Sequence, residues 1–234
     1  VEILTLKVED ETDAIINGEL ANIEDFPYYA FISYEGDLHC GGAFIERDLV
    51  LTAAHCITGS TFTVYPGITT IRDLKRSKGY KMKSAVPHSQ YWQTFNTAYD
   101  IGLIRLKDKI ELGDKAQLIE TASEPPPQHE EATVVGFGAV KCAGEKRCHK
   151  YTRASKHLRS TQIEILGVTS NGIVVTQSRG NRSTCYGDSG GPITYDGKVV
   201  AVVSSGQYGD CTGFDTQGPV FTMLDWIEET KAEM

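Results

Sequence analysis

Three short segments carry residue types that could together perform nucleophilic chemistry. His55 stands beside Cys56 in the segment Thr52–Cys56, at the end of an apolar strand, and Asp100 opens a second apolar run. Glycines surround Ser189 in the segment Gly187–Pro192. A serine hydroxyl is a weak nucleophile until an imidazole accepts its proton, and a carboxylate must hold that imidazole in the right tautomer. The three segments therefore predict His55 as the base, Asp100 as its orienting acid and Ser189 as the nucleophile.

The glycine two residues before the serine has a predicted role of its own. Because Gly187 has no Cβ, the backbone N–H groups of Gly187 and Ser189 could turn toward one point. Two such donors would stabilise the oxyanion of a tetrahedral intermediate, and losing one typically costs about 3 kcal/mol. We expect these two N–H groups to form an oxyanion hole.

The elements that must position these side chains are predicted to be strands. Short β-rich runs separated by Gly, Pro, Asn and Asp recur along the chain, which indicates an all-β sandwich or barrel. The runs are 28–34, 48–52, 61–65, 101–106, 132–135, 162–166, 172–176, 199–204 and 220–223. One amphipathic helix is predicted, at 224–232. The stiff run Pro125–Pro127 is interpreted as the connector between two β-halves.

Composition excludes several classes of protein. The 234 residues include 31 acidic and 23 basic side chains, which gives a net charge of −8 and argues against nucleic-acid binding. No apolar run approaches the roughly 18 residues of a membrane span. The N-terminus is too polar for a signal peptide, so we expect any signal to have been removed already.

A metal or cofactor is not expected. The basic stretch 141–157 contains Cys142, Cys148, His149 and His157, which could in principle hold a metal. Their spacing matches no zinc pattern, and a local disulfide between the two cysteines is the favoured interpretation. The loop at 61–83 shows no acidic cluster suited to calcium.

Taken together, the motifs resemble the chymotrypsin/trypsin-like serine protease family. The resemblance runs from Ile15 to Ile227, and besides the three segments above it includes Cys40–Gly42 and the terminal Trp226–Ile227. It implies an all-β fold of two six-stranded antiparallel β-barrels followed by the C-terminal helix, with the catalytic groups in the cleft between the barrels. The domains would be 15–124 with His55 and Asp100, 125–223 with Ser189, and the helix at 224–234. The family also implies a secreted monomer that acts on protein or peptide substrates.

The resemblance also implies how the cysteines pair. Cys40 and Cys56 match the pair that ties the histidine loop, and Cys185 and Cys211 match the pair that clamps the serine loop. Cys142 and Cys148 are then left to pair with each other. A further disulfide that the family usually has, upstream of the serine loop, has no cysteines here.

An activation step is implied as well. Ile15 begins a segment that resembles the family's mature N-terminus, so residues 1–14 are expected to be a propeptide removed by an activating protease. The freed amino group of Ile15 would then pair with Asp188. The junction residue Ala14 excludes a trypsin-like activator, and the junction resembles those of mite digestive trypsin-like proteases and their inactivated paralogues. We expect the chain as given to be uncleaved, with no amino-terminal partner on Asp188.

The predicted substrate pocket departs from the family. Ser183 stands at the position that forms the pocket floor, where it lacks the carboxylate that would pair with Lys or Arg. Ser204, Ser205 and Gly206 replace the usual Ser-Trp-Gly wall, so the large apolar surface is missing. The usual Pro-Gly before the final strand is reversed, and Pro219 is expected to narrow the pocket.

Two functions from different classes follow. The first is a secreted serine endopeptidase, made as a zymogen, that cleaves after a small or modestly apolar residue. The second is a catalytically silent paralogue that binds a host protein target. The intact set of His55, Asp100 and Ser189 favours the enzyme, while Ser205, the reversed Gly218–Pro219 pair and the missing disulfide favour the binding protein.

Overall fold

The chain folds into two β-barrels followed by a helix. The computed structural model describes residues 18–59, 61–138, 155–178, 184–206 and 213–234. Within these ranges, the strands are β1 Glu19–Leu20, β2 Tyr29–Tyr34, β3 Asp37–Glu46, β4 Leu49–Thr52, β5 Thr63–Tyr65, β6 Tyr80–Pro87, β7 Gly102–Leu106, β8 Glu120–Thr121, β9 Glu131–Gly136, β10 Arg159–Val168, β11 Val174–Ser178, β12 Pro192–Tyr195, β13 Lys198–Gly206 and β14 Phe214–Pro219. The α-helices are α1 Ser89–Thr94 and α2 Leu224–Glu233.

The first barrel contains six antiparallel strands. They close in the order β2-β3-β4-β7-β6-β5, so the barrel has no free strand edge. Its strands are rich in Val, Ile, Leu and Phe, and fully buried side chains such as Phe44, Leu51 and Leu103 fill the interior.

The second barrel closes in the same way from the later strands. The order is β9-β10-β11-β14-β13-β12, and pairing of β12 with β9 completes the ring. Strand β1 extends β10 on the outside, and β8 runs parallel to β13. The prediction of two six-stranded antiparallel barrels is therefore confirmed. The predicted domain boundary at residues 124 and 125 falls between the last strand of the first barrel and β9.

An aromatic cluster joins the two barrels. Phe31 of the first barrel meets Phe137, which follows β9, with ring centroids 5.2 Å apart in an edge-to-face arrangement. Tyr29 lies 6.0 Å from Phe137 between centroids, and all three side chains are fully buried. Further buried members of this cluster are Ile23, Ile68, Val135 and Leu158. The cluster fixes how the barrels sit against each other.

The helices are few, as predicted. Helix α2 was predicted at 224–232, and it buries Ile227 against the core of the first barrel. Helix α1 was not predicted from the sequence; it has six residues and is followed by Phe95, which adopts the left-handed conformation with φ 49°. No helix in the described ranges is long and apolar enough to cross a membrane.

Candidate active site

A short 3-10 helix carries the predicted base. His55 lies in the 3-10 helix Ala54–Cys56, directly after β4. Asp100 follows a second 3-10 helix, Thr97–Tyr99, at the start of the segment that leads into β7. Because β4 and β7 are paired neighbours, the ends of these two segments meet at the same rim of the first barrel.

The carboxylate of Asp100 holds the imidazole in one orientation. Asp100 is only 1% exposed, and its Oδ2 accepts from His55 Nδ1 at 2.7 Å, while its Oδ1 accepts from the His55 backbone N–H at 2.9 Å. The Ser204 hydroxyl donates to the same Oδ2. A proton on Nδ1 leaves Nε2 with its lone pair, which is the tautomer that a general base requires.

The serine loop contacts β3 and the end of β4, the strand that leads to His55. The Gly41 N–H donates to the Ser189 carbonyl at 2.8 Å. Gly190 has φ 73°, and a Cβ there would lie 2.1 Å from Thr52 Oγ1 and 3.0 Å from the Ala53 nitrogen. Only glycine permits this approach. Ser189 is partly exposed, and its hydroxyl forms no hydrogen bond with another described residue.

The backbone before Ser189 turns at a glycine with positive φ. Gly187 has φ 99°, and a Cβ there would lie 3.2 Å from both Leu38 Cδ2 and Gly138 Cα. Among the described residues, the N–H groups of Gly187 and Ser189 have no hydrogen-bond acceptor. Whether these two N–H groups converge on one point stays a prediction.

Asp188, between these two residues, is fully buried. Its Oδ1 accepts from the Gly138 N–H at 2.8 Å and its Oδ2 from the Cys185 N–H at 3.0 Å. Burial raises the pKa of Asp188 to about 7, although the two backbone donors act in the opposite direction. No cationic group of the described ranges lies within ion-pair distance of this carboxylate. The predicted partner, the amino group of Ile15, lies outside the described residues.

One predicted disulfide is described in full. Cys40 and Cys56 are bonded, with Cα atoms 6.2 Å apart. Cys185 is disulfide-bonded, but its predicted partner Cys211 lies outside the described residues. The predicted pair of Cys142 and Cys148 also lies outside them. The His55 ring lies close to the sulfurs of the Cys40–Cys56 bond; bonded sulfurs are not thiolates, so this group is not a metal site.

The predicted pocket wall is polar where it faces the first barrel. Ser205 Oγ lies 2.9 Å from Thr216 Oγ1, and Thr97 Oγ1 lies 3.5 Å from both. These three hydroxyl groups join the Thr97–Tyr99 helix to β13 and β14. Ser183, the predicted pocket floor, lies outside the described residues.

Pro219 does not lie opposite this wall. The register of β13 and β14 pairs Pro219 with Ala201, and it pairs Ser205 with Thr216 and Gly206 with Asp215. The register shifts between Val202 and Ser205, where two residues of β13 lie opposite one residue of β14. The residue that the structure places across from Gly206 is therefore Asp215.

Sequence reasoning missed two features of this region. Asp215 is buried, accepts from the Thr184 hydroxyl at 2.8 Å, and was not singled out because burial of one carboxylate in a polar segment leaves no pattern in the sequence. The second is an exposed aromatic group on and after α1: Trp92 is 43% and Phe95 69% exposed, and the ring of Tyr91 lies 6.5 Å from that of His55. Three aromatic residues within Tyr91–Phe95 were the available signal.

Comparison with known proteins shows that the sequence matches a known family. The family model described as trypsin matches residues 15–227. A trypsin of Simulium vittatum is 33% identical over 214 residues, covering 82% of each chain, and beta-fibrinogenase mucrofibrase-1 of Protobothrops mucrosquamatus is 26% identical, covering 94% of this chain and 88% of its own.

Solved structures agree on the fold. Neuropsin, a serine protease expressed in the limbic system of mouse brain, superposes with a TM-score of 0.80 at 24% identity, covering 92% of this chain and 99% of its own. Human heparin binding protein gives the same TM-score at 23% identity, covering 94% and 97%. With the family model matching most of its length, the chain belongs to the trypsin family of serine proteases.

Proposed function

We propose that the protein is a secreted serine endopeptidase that hydrolyses peptide bonds through an acyl-enzyme. The observation that carries this proposal is the pair of hydrogen bonds from His55 to the buried Asp100, beside a loop that presents Ser189. A carboxylate that orients an imidazole next to a serine is the arrangement that activates a hydroxyl.

The proposed reaction assigns one task to each group. His55 Nε2 accepts the proton of Ser189 Oγ as that oxygen attacks the scissile carbonyl carbon. The carbonyl oxygen becomes an anion that the N–H groups of Gly187 and Ser189 stabilise. The imidazolium, held by Asp100, then donates its proton to the leaving amine. Water enters, loses a proton to His55, and releases the acid from Ser189 by the reverse steps.

Two features support synthesis as a secreted precursor. The Cys40–Cys56 disulfide requires an oxidising compartment. Asp188 is a buried carboxylate with only backbone donors among the described residues, and a positive amino group beside it would favour its charged form. The amino group of Ile15, once freed by an activating protease, would supply that charge and order the Gly187 backbone.

Labelling of the nucleophile tests the proposal. A fluorophosphonate should label the chain whose N-terminus is Ile15 at Ser189 and label the uncleaved chain far more slowly, and the cleaved form should hydrolyse a peptide library. Ser189→Ala is the matched control and must abolish both signals. Labelling without peptide hydrolysis would instead favour the silent binding protein, and absence of labelling in both forms would overturn the catalytic assignment.

A further inference from the structure

We propose that the first barrel carries a cationic surface that binds the acidic segment 1–14 of this chain. The surface comprises the connection from β5 to β6 and the neighbouring ends of β6 and β7. Its members are exposed basic residues: Arg72, Lys75, Arg76, Lys78, Lys81, Lys107 and Lys109. The inference rests on the proposed function in one respect, because cleavage before Ile15 would sever this segment from the protease.

Positive charge is concentrated here against the overall charge of the chain. The run 72–83 contains six basic residues and one acidic residue, whereas the whole chain carries a net charge of −8. The one acid, Asp73, is engaged within its own loop, because its Oδ2 accepts from the backbone N–H groups of Thr69 and Thr70. The run therefore presents positive charge to solvent.

Carboxylates around the surface neutralise little of this charge. The Lys78 ammonium lies 3.5 Å from Glu111 Oε1, but both side chains are more than half exposed, and such pairs contribute little. Asp108 stands between Lys107 and Lys109 in the sequence and forms no ion pair with a described residue. The other six members of the surface likewise have no ion-pair partner within the described ranges.

Two lysines of the surface face each other across β6 and β7. The register pairs Met82 with Leu106, and the Lys107 N–H donates to Lys81 O at 2.9 Å, so Lys81 and Lys107 stand opposite each other. Opposed residues in a sheet have Cβ atoms about 5 Å apart, and like charges at such positions destabilise the sheet. A carboxylate bound between the two ammonium groups would relieve this repulsion.

Segment 1–14 has the complementary composition. It contains five acidic residues and one basic residue, and its apolar residues are Val1, Ile3, Leu4, Leu6 and Val8. The cationic surface also combines charge with apolar area, because Leu74 in the 3-10 helix Ile71–Lys75 and Tyr65 beside Gly79 are only partly buried. A polypeptide with carboxylates and apolar side chains matches both features, whereas a sulfated polysaccharide matches only the charge.

The chain is anchored close to this surface where segment 1–14 joins it. The Ala21 N–H donates to Leu158 O at 3.0 Å, and the Leu158 N–H donates to Thr69 O at 2.7 Å, three residues before Arg72. Seventeen residues precede Gly18, the first described residue. At about 3.3 Å per residue they span up to about 55 Å, which is enough for segment 1–14 to lie along the cationic surface.

The cationic surface lies apart from the catalytic groups. From Lys81, β6 continues for six residues to Pro87, about 20 Å, before α1 begins. Tyr91 of α1 is the residue whose ring lies 6.5 Å from that of His55. A segment bound at Lys81 therefore leaves the catalytic groups accessible. Because segment 1–14 contains no cysteine, noncovalent contacts rather than a disulfide would retain it after cleavage.

A synthetic peptide with the sequence of residues 1–14 tests the proposal without requiring catalysis. Fluorescence anisotropy should show binding to the form that begins at Ile15 and carries Ser189→Ala. The full chain with the same substitution should bind the peptide at least tenfold more weakly, because its tethered segment already occupies the surface. Binding should weaken as the salt concentration rises. A peptide in which every Glu and Asp is replaced by its amide should not bind.

Charge reversal on the protein supplies matched variants. Lys81→Glu and Lys107→Glu should each lower the affinity for the peptide by about tenfold. Lys198→Glu makes the same change of charge on the second barrel and should leave the affinity unchanged. Lys81→Glu should also raise the midpoint of chemical denaturation, because it replaces opposed like charges with an opposite pair. Loss of binding in a more stable variant is then not a consequence of unfolding.

Proteolysis of the full chain provides the second readout. With Ser189→Ala in place, a Glu-specific protease should cut within residues 1–14 more slowly than in the same chain with Lys81→Glu and Lys107→Glu. Peptide binding that is absent, shared by the amide peptide, or indifferent to both reversals would overturn the proposal. Dextran sulfate that binds where the peptide does not would overturn it as well. Failure of Ser189 labelling would contradict the proposed hydrolysis and leave these binding results to decide the role of the surface.

Discussion

At the residue scale, the charge of Asp100 is distributed over three hydrogen bonds. Two come from His55, one from its ring and one from its backbone, and the third comes from the Ser204 hydroxyl. The backbone bond fixes the position of the carboxylate, and the ring bond fixes the tautomer of His55. Loss of the ring hydrogen bond should therefore slow the reaction of Ser189 more than loss of the Ser204 hydrogen bond.

We predict that Asp100→Asn lowers the rate of Ser189 labelling by roughly 10⁴-fold, because the amide no longer selects the Nδ1-protonated tautomer. Ser204→Ala should lower it by only about tenfold, the effect of losing one hydrogen bond to a charged group. Rates measured with the active form, after circular dichroism has shown both variants folded, check the prediction. Equal losses in the two variants would contradict this ranking.

Glycines that touch the Asp188 carboxylate are the second feature at this scale. A Cβ on Gly138 would lie 2.2 Å from Asp188 Oδ2, and a Cβ on Gly136 would lie 2.3 Å from Oδ1. Neither carboxylate oxygen can move away easily, because Asp188 is fully buried. A larger residue at Gly136 or Gly138 would therefore clash with the Asp188 carboxylate.

Gly138→Ala should lower the free energy of unfolding by about 1–3 kcal/mol, the usual cost of overpacking a core. It should also slow Ser189 labelling, because Asp188 precedes the serine and would have to move. Gly113→Ala is the control, since a Cβ at Gly113 meets nothing within 4 Å. Chemical denaturation of the two variants makes the comparison, and similar stabilities would refute the role assigned to Gly138.

At the scale of elements, the Cys40–Cys56 disulfide ties β3 to the 3-10 helix that carries His55. The same end of β3 holds the serine loop, because the Gly41 N–H donates to the Ser189 carbonyl. One covalent bond therefore restrains both His55 and the loop that contains Ser189.

Replacing both cysteines, Cys40→Ala with Cys56→Ala, should lower the free energy of unfolding by about 3 kcal/mol, given a sequence separation of 16 residues. We also expect slower labelling of Ser189 at a temperature where the variant is still folded. Denaturation curves and labelling rates of the purified double variant check both effects. Unchanged labelling in a destabilised protein would restrict the disulfide to a purely structural role.

Long apolar strands, helix α2 and the segments around His55 and Asp100 could be predicted from the sequence. Short helices and the register between paired strands could not. The β-rich runs and helix α2 have strong periodic patterns, and His55 and Asp100 lie in segments whose ends must meet once β4 and β7 pair. Helix α1 was missed because it has six residues, among them Tyr, Trp and Thr, which are weak helix formers. The position of Asp215 across from Gly206 was missed because it depends on the register of β14 against β13, which shifts between Val202 and Ser205.

At the scale of the whole molecule, the site exists because two barrels meet. His55 and Asp100 belong to the first barrel, and Ser189 belongs to the second. The aromatic cluster centred on Phe137 spans the junction, and Phe137 directly precedes Gly138, whose N–H binds Asp188. Packing between the barrels and the shape of the loop before Ser189 are thus parts of one contiguous structure.

The buried carboxylates make the stability of the whole chain depend on pH. The pKa of Asp188 is about 7 in the folded chain, against an ordinary value of 3.8, and Asp215 is shifted in the same direction, to about 6. The folded state therefore holds protons that the unfolded state has released. For such a group the stabilisation is complete below pH 4 and is lost as the pH rises to about 7.

We predict that the free energy of unfolding of the uncleaved chain falls between pH 4 and pH 7 by an amount on the order of a few kcal/mol, and that Asp188→Asn removes the larger part of this fall and leaves the part due to Asp215. Denaturant titrations at several pH values measure it, with Asp108→Asn as the control that keeps the wild-type slope. Cleavage before Ile15 should reverse the contribution of Asp188, because a positive amino group beside the carboxylate lowers its pKa and makes the charged form the stable one. In the cleaved form the stability contributed by Asp188 would be complete above about pH 4 and would be lost as the pH falls through its lowered pKa. Identical pH dependence in the cleaved and uncleaved forms would show that the amino group of Ile15 does not reach Asp188.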